Sequence, residues 1–366
     1  SRAGVKEVLC LSYEERQMPI SSEDLQALGK STLDDYLRNE PVDQVSVDIP
    51  LLKKLMAKRK DFAGAKQNVT VNIRKSHDSN FAWAYGEEPV AFNKRNTVEN
   101  AAFPWRRAVD GFYIAHDTLF ANGIKVREGG HRAYRLEVSE KNQLLNLLAE
   151  QTEAFRTGFS EKLSMELHRD GTSSEDAVTG LDALVSTTPE TGVVGGIDRA
   201  TATYWRNNAA TGIASTTDGA LATAMEGQWR SCIRNGGSPD FILAGSAFID
   251  AYRQYAVTVT NNAGAGAVKR IDAGVGSGTS TGLYFKGVEI IWDPQFEQLD
   301  ALESPAIPWE KRCYFINTKY LELHDDTMDI VSPTRPYNVL ALYQMVNLRL
   351  ALVMKRANAH SVMSIA

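Results

Sequence analysis

The chain has 366 residues, 43% of them hydrophobic and 23% charged, which is the balance of an ordinary folded protein of one large or two modest domains. A net charge of −5 argues against a protein whose main task is to neutralise nucleic-acid phosphates, although a local basic face could still touch them. The longest apolar runs, such as 339–346, fall far short of the roughly 20 residues needed to cross a bilayer, and no basic-then-apolar leader opens the chain, so a cytoplasmic product without membrane contact is expected.

Cys10, Cys232 and Cys313 are far apart and form no C-x-x-C pair, so neither a disulfide framework nor a zinc site is indicated; they read as small packing residues. The first residue, Ser1, fits either loss of an initiator Met or loss of a longer leader.

Residues 1–60 are polar and loosely patterned. Ser21 or Ser22 can cap a short helix through Leu37, with Glu23 and Asp24 complementing its positive end. A second amphipathic piece, 50–60, starts at Pro50 and puts Leu51, Leu52, Leu55 and Met56 on one stripe, followed by Lys58, Arg59 and Lys60. This extension reads as an arm that docks on something.

Residues 61–126 alternate like strands and carry many aromatic and basic side chains. Val69, Val71 and Ile73 share one face, and Phe81, Trp83 and Tyr85 repeat the two-residue period. Turn chemistry at 77–80 and 86–89, with a return segment at 90–92, predicts a long β-hairpin. A two-stranded ribbon is marginal in water unless something covers its apolar face. The cover comes either from an ordinary sheet within the chain or from another subunit, and this stretch alone leaves both open.

Ser139 can cap the longest helix, which the pattern carries to about Arg169 before Asp170 and Gly171. Leu144, Leu145, Leu147, Leu148, Phe155, Phe159, Leu163 and Leu167 recur near the helical period, with Glu150, Glu153, Glu161 and Lys162 on the other side. From Gly180 onward short apolar runs alternate with small residues: a helix is predicted at 219–234, strands at 241–244 and 288–292, and a helix at 246–255. Residues 261–282 are rich in Gly and small side chains and predict a long mobile loop. Strands at 313–317 and 339–353 follow, completing an α+β chain.

Catalytic signatures are missing. There is no Walker loop, no His-Glu-x-x-His, no Gly-x-Ser-x-Gly elbow and no helical pair of His. His324, Asp325, Asp326 and Asp329 depart from the calcium-loop spacing and read as a solvated turn. No enzyme, cofactor or metal is expected. Arg74, Lys75, Lys94, Arg95, Trp105, Arg106 and Arg107 interleave cations with aromatics. That composition suits a single-strand nucleic-acid platform or, more commonly, a protein interface, and the overall acidity favours the interface.

Two strings stand out after the long helix: Gly180-Leu181-Asp182-Ala183-Leu184-Val185 leading to Gly195-Gly196-Ile197-Asp198-Arg199, and then Tyr204-Trp205-Arg206-Asn207. With Asn122-Gly123-Ile124 and the order of segments, they resemble the major capsid proteins of tailed double-stranded DNA bacteriophages, the Hong Kong 97-type fold. The resemblance spans essentially the whole chain. It implies an N-terminal arm at 1–60, an extended hairpin (the E-loop) at 61–126, and a peripheral domain with a spine helix at 127–180. An axial domain would follow at 181–335, with its mobile loop at 261–282, and C-terminal strands at 336–366 would complete the peripheral domain.

The resemblance further implies self-assembly into pentamers and hexamers of an icosahedral shell around double-stranded DNA, with the E-loop lying across a neighbour. Scaffolding, portal and decoration proteins are the implied partners, with weak non-specific contact to the packaged DNA. Phe81, Trp83 and Tyr85 become interface anchors, with Arg95 and Trp105 among the candidates beside them. Arg74, Lys75, Lys94, Arg106 and Arg107 are candidates to pair with a neighbour's Glu150, Glu153 or Glu161. Some members cross-link a Lys to an Asn. Lys66, Lys75 and Lys94 and Asn338, Asn347 and Asn358 are available here without a specific match, so no cross-link is expected. The alternatives are an encapsulin-type nanocompartment shell, a soluble α+β enzyme with an unrecognised site, and a nucleic-acid-binding module.

Overall fold

The computed structural model describes residues 46–61, 67–89, 92, 94–115, 117, 138–215, 219–234, 236–262, 279–326, 329–334 and 341–366, without the side chains of 138–150, 257–262, 329–334 and 342. Two compact units emerge, Ser1–Val45 with Arg127–Leu148, and Ser46–Val126 with Ala149–Ala366. The second unit carries both large sheets and is described here.

Helix α1 (Pro50–Met56) opens on a proline, whose missing N–H costs nothing in the first turn, and buries Leu51, Leu52 and Leu55. The short strand β1 (Lys60–Asp61) then pairs in parallel with a later strand. Strands β2 (Asn68–Arg74) and β3 (Val98–Pro104) form an antiparallel ribbon, registered from Asn68 opposite Pro104 to Arg74 opposite Val98. Strand β4 (Arg106–Ala115) follows after Trp105. The strand that returns along β2 is 98–104, and of the expected return segment 90–92, residues 90 and 91 lie outside the described residues. Residues 75–89 form no strand despite their alternation, because aromatic strand preference depends on a surface to pack against, and the described residues leave Phe81, Trp83 and Tyr85 exposed.

The long helix α2 (Val138–His168) has 31 residues, about 46 Å at 1.5 Å per residue. Phe159, Leu163 and Leu167, spaced by four, form its buried stripe. Beyond it come α3 (Leu181–Leu184), the small hairpin β5 (Val193–Val194) and β6 (Ile197–Asp198), and β7 (Asn208–Ile213). The two strings singled out by sequence fold together at this point. The buried Arg199 guanidinium donates to the carbonyls of Ala183, at 3.0 Å, and Leu184, satisfying the end of α3. Trp205 donates from Nε1 to the Val194 carbonyl at 3.0 Å, and Asn207 donates to the Ser186 carbonyl at 2.8 Å.

Helix α4 (Ala220–Arg234) buries Leu221, Met225, Trp229 and Cys232 at helical spacing. Strand β8 (Phe241–Ala244), helix α5 (Ser246–Asn262), strands β9 (Ser280–Phe285) and β10 (Val288–Trp292) and helix α6 (Gln295–Glu303) follow. Of the predicted loop 261–282, both ends belong to these elements and 263–278 lie outside the described residues. Strands β11 (Arg312–Ile316), β12 (Leu321–Asp325), β13 (Asp329–Thr334), β14 (Ala341–Met354) and β15 (Ser361–Ile365) complete the chain. The predicted helix ending at Leu37 and the Asn122-Gly123-Ile124 turn lie outside the described residues.

One sheet runs β7-β15-β11-β8-β10-β9. Its central strands send alternate side chains into two cores: Phe241, Leu243, Tyr314 and Ile316 into one, Ile242, Ala244, Cys313 and Phe315 into the other. Burial on both faces explains why β8 and β11 read as unbroken apolar runs. The other sheet runs β1-β12-β14-β13, with β4 along the opposite edge of β14 over ten register pairs. The expected solvated turn at 324–329 is corrected here. His324 and Asp325 lie within β12, where the buried Asp325 meets Arg59 at 3.3 Å, because pairing on both sides draws this segment into the sheet.

Candidate assembly surfaces

The β2–β3 ribbon is anchored at its root. Ala102 donates to the Gly195 carbonyl at 2.9 Å, and Ala101 and Phe103 are buried there. Gly195 sits at φ +61°, and a Cβ on it would lie 3.0 Å from Ala101 and 3.2 Å from the Phe103 ring, so the contact needs glycine for both backbone and space. Tyr204 donates its hydroxyl to Glu99, and burial followed by the carboxylate raises the phenol pKa to about 12. Lys75 approaches the same carboxylate at 4.0 Å.

Beyond the root the described residues of the arm make local bonds. Asp78 accepts from the Ser76 hydroxyl at 2.8 Å and from the Asn96 N–H at 3.2 Å, tying the two legs together, and Tyr85 N–H donates to Glu88 at 3.3 Å beside the turn at Gly86. Phe81 and Trp83 touch edge to face at 5.3 Å. Both rings face solvent, as do Tyr85 and Phe92: the four are 75%, 90%, 91% and 92% exposed in that order. Four bare rings within twelve residues of one arm mark an interaction surface rather than scattered surface apolarity.

The β4–β14 pair has two unlike faces. Toward α2 it presents Phe112, whose ring meets Phe155 at 5.3 Å, with Val346, Leu348 and Leu350 buried. The outward face carries the register pairs Arg107–Arg349, Val109–Asn347, Gly111–Met345 and Tyr113–Tyr343. Near its end, α2 borders a cleft of about 550 Å³ lined by Arg106, Lys162, Leu163, Arg169, Asp176 and Leu350 among others. Its cations are largely matched within the chain: Arg106 meets Asp176 at 3.1 Å, and Arg169 meets Glu166 at 2.7 Å and Glu303.

Solved structures match over most of the chain. A chain of the cyanophage A-1(L) capsid asymmetric unit superposes with a TM-score of 0.61 at 16% identity, over 89% of this chain and 96% of that one. This is a phage-capsid fold. A chain from the capsid of Myoviridae phage XM1 gives a TM-score of 0.55 at 12% identity, covering 89% and 95% of the two chains. One from Mycobacterium phage Ogopogo gives 0.52 at 11% identity, covering 89% and 95%. No protein-family model and no curated relative matches the sequence.

Within the phage-capsid fold the interface candidates separate. Phe81, Trp83 and Tyr85 form the bare arm tip; Lys94 and Arg95 are exposed on its returning leg, and Arg74 on β2. Trp105 is half-buried, edge-on to His324 with ring centres 6.5 Å apart. Arg106 is engaged with Asp176, whereas Arg107 meets no carboxylate among the described residues. Glu153 is exposed, Glu161 accepts the Val47 N–H at 2.6 Å, and the side chain of Glu150 lies outside the described residues. The outward residues Tyr113, Tyr343, Met345 and Arg349 escaped the sequence reading, although the alternation of Tyr343, Met345, Asn347 and Arg349 with buried Val346, Leu348 and Leu350 carried the signal.

The remaining polar groups act as structural fasteners. His168, at the end of α2, has Nδ1 2.7 Å from the Ser164 carbonyl and Nε2 2.8 Å from Asp293, both residues buried. Arg312 donates to the Ile307 carbonyl at 3.0 and 2.7 Å and to Asp182 at 2.8 Å, with its guanidinium 4.2 Å over Trp309. Burial raises the Asp182 carboxyl, which Arg312 opposes. Burial also pushes the Cys232 thiol up to about 12 and the Cys313 thiol up as well, so neither is a ready thiolate. Among the described residues no group of three His, Cys, Asp or Glu is placed to hold a metal, and no helix is long and apolar enough to cross a membrane.

Proposed function

We propose that this chain is the major shell subunit of a tailed double-stranded DNA phage, assembling with copies of itself into pentamers and hexamers of an icosahedral capsid. The observation that carries this reading is the bare aromatic arm on a phage-capsid fold: Trp83 is 90% exposed and left uncovered by the described residues of its own chain. Covering such arms by symmetry-related copies turns a liability of one subunit into repeated contacts of a closed shell. In this reading the ribbon of β2 and β3 with its tip is the E-loop and α2 is the spine helix, while the sheet β1-β12-β14-β13 with β4 belongs to the peripheral domain and the sheet β7-β15-β11-β8-β10-β9 to the axial domain, so the boundaries expected at 126 and 335 fall within sheets rather than between them. The role is structural rather than catalytic, the product resides in the virion, and DNA contact is weak and non-specific.

Sedimentation velocity over a concentration series tests this. A threshold above which nearly all added protein enters very large particles is expected, whereas a single small species at every concentration refutes the proposal.

A further inference from the structure

The arm meets the body at two points of unlike chemistry. Its returning leg sits on the Gly195 contact, where Ala101 and Phe103 are buried and Ala102 donates to the Gly195 carbonyl at 2.9 Å. Its leading leg follows the basic run after α1, in which three successive cations each meet a different carboxylate. Lys58 meets Asp240 at 2.9 Å, Arg59 meets Asp325 at 3.3 Å and Lys60 meets Glu322 at 3.0 Å. The three cationic side chains are 49%, 50% and 50% exposed, so salt screens these pairs and leaves the buried contact untouched.

Backbone pairing adds little at the leading leg. Among the described residues β1 gives two parallel register pairs, Lys60 beside His324 and Asp61 beside Asp325. The second sets two carboxylates side by side, which works against the contact. The body also has substitutes for the basic run. Asp240 keeps the Thr318 N–H at 2.7 Å together with the Thr318 hydroxyl, and Glu322 keeps Lys355 at 2.7 Å. Burial raises the Asp325 carboxyl against the pull of Arg59, and loss of that pull favours its neutral form. Helix α1 marks the limit of what can come away, because Leu51, Leu52 and Leu55 hold it in the core.

We propose that residues 58–61 are a releasable latch: competing ions detach them from the body, so that the leading leg of the arm comes free while its returning leg stays seated at Gly195 and both sheets stay folded. The latch lies within one chain and stands apart from the shell reading.

Trypsin reads the latch directly, because its three cations are cleavage sites. With cutting normalised to a free peptide of residues 55–64, raising NaCl from about 0.05 to about 1 M is expected to speed cleavage after residues 58–60 roughly tenfold. Hydrogen exchange in β3, β8 and β11 should change less than about twofold over the same range. In low salt, Asp240→Asn with Glu322→Gln should give the same acceleration. A disulfide formed by Lys60→Cys with His324→Cys should abolish the salt response at residues 58 and 59, and reduction should restore it. Cutting that ignores salt, or that rises only together with exchange in β8 and β11, would overturn the latch, as would a salt response that survives the disulfide.

Discussion

Replacing Trp83 by alanine separates folding from assembly. The residue is 90% exposed and its ring meets Phe81 edge to face, so the isolated subunit should keep its stability to within about 0.5 kcal/mol. Assembly should respond differently. A tryptophan side chain offers roughly 200 Å², and covering half of what is exposed here removes about 90 Å² from water, about 2 kcal/mol at 25 cal/mol per Å². In the proposed shell each copy gives one arm and receives one, so the loss falls once per subunit and raises the threshold concentration roughly 30-fold. The assay pairs urea unfolding of unassembled subunits with the threshold measured by sedimentation. An unchanged threshold, or a subunit destabilised by a comparable amount, would refute the reasoning.

Acid should weaken the subunit through His360, which is fully buried with Nδ1 accepting the Asn317 N–H at 3.2 Å and which burial holds down at about 4 from 6.5. Between those values the unfolded chain binds a proton that the folded one refuses, so stability is full above pH 6.5 and falls toward pH 4. The loss is about 3 kcal/mol in total, and a His360→Gln variant measured by urea unfolding at both pH values should lack it. Glycines should split by environment. A Cβ on Gly180 would lie 2.2 Å from the Arg169 carbonyl oxygen, so Gly180→Ala should cost about 3 kcal/mol in thermal unfolding. Gly158, within α2 with nothing near its Cβ position, should gain about 0.8 kcal/mol as alanine. Arg312→Lys loses the fork that grips Ile307 and Asp182 at once, and a drop of about 3 kcal/mol in denaturant unfolding is expected.

Strands β8 and β10 and the long helix were legible because their signals are local: short apolar runs bounded by turn residues, and a four-residue stripe through Phe159, Leu163 and Leu167. The partner of β2 was not. Residues 98–104 carry only Val98, Ala101, Ala102 and Phe103 as apolar members, and what selects them is the seat of Phe103 against Gly195, a tertiary contact with no local trace. The same limit hid Arg312 and His168, each a lone charge or ring in sequence that becomes a fastener only beside carbonyls and carboxylates brought to it by the fold. Of the candidate assembly surfaces, the aromatic tip was readable from its period, whereas the outward face of β4–β14 required the register that brings Arg107 opposite Arg349.

The most direct test of the shell proposal is negative-stain electron microscopy of the purified chain above its assembly threshold. Uniform closed shells, or rings of five and six subunits, are the predicted result. A homogeneous small particle under every condition would contradict it.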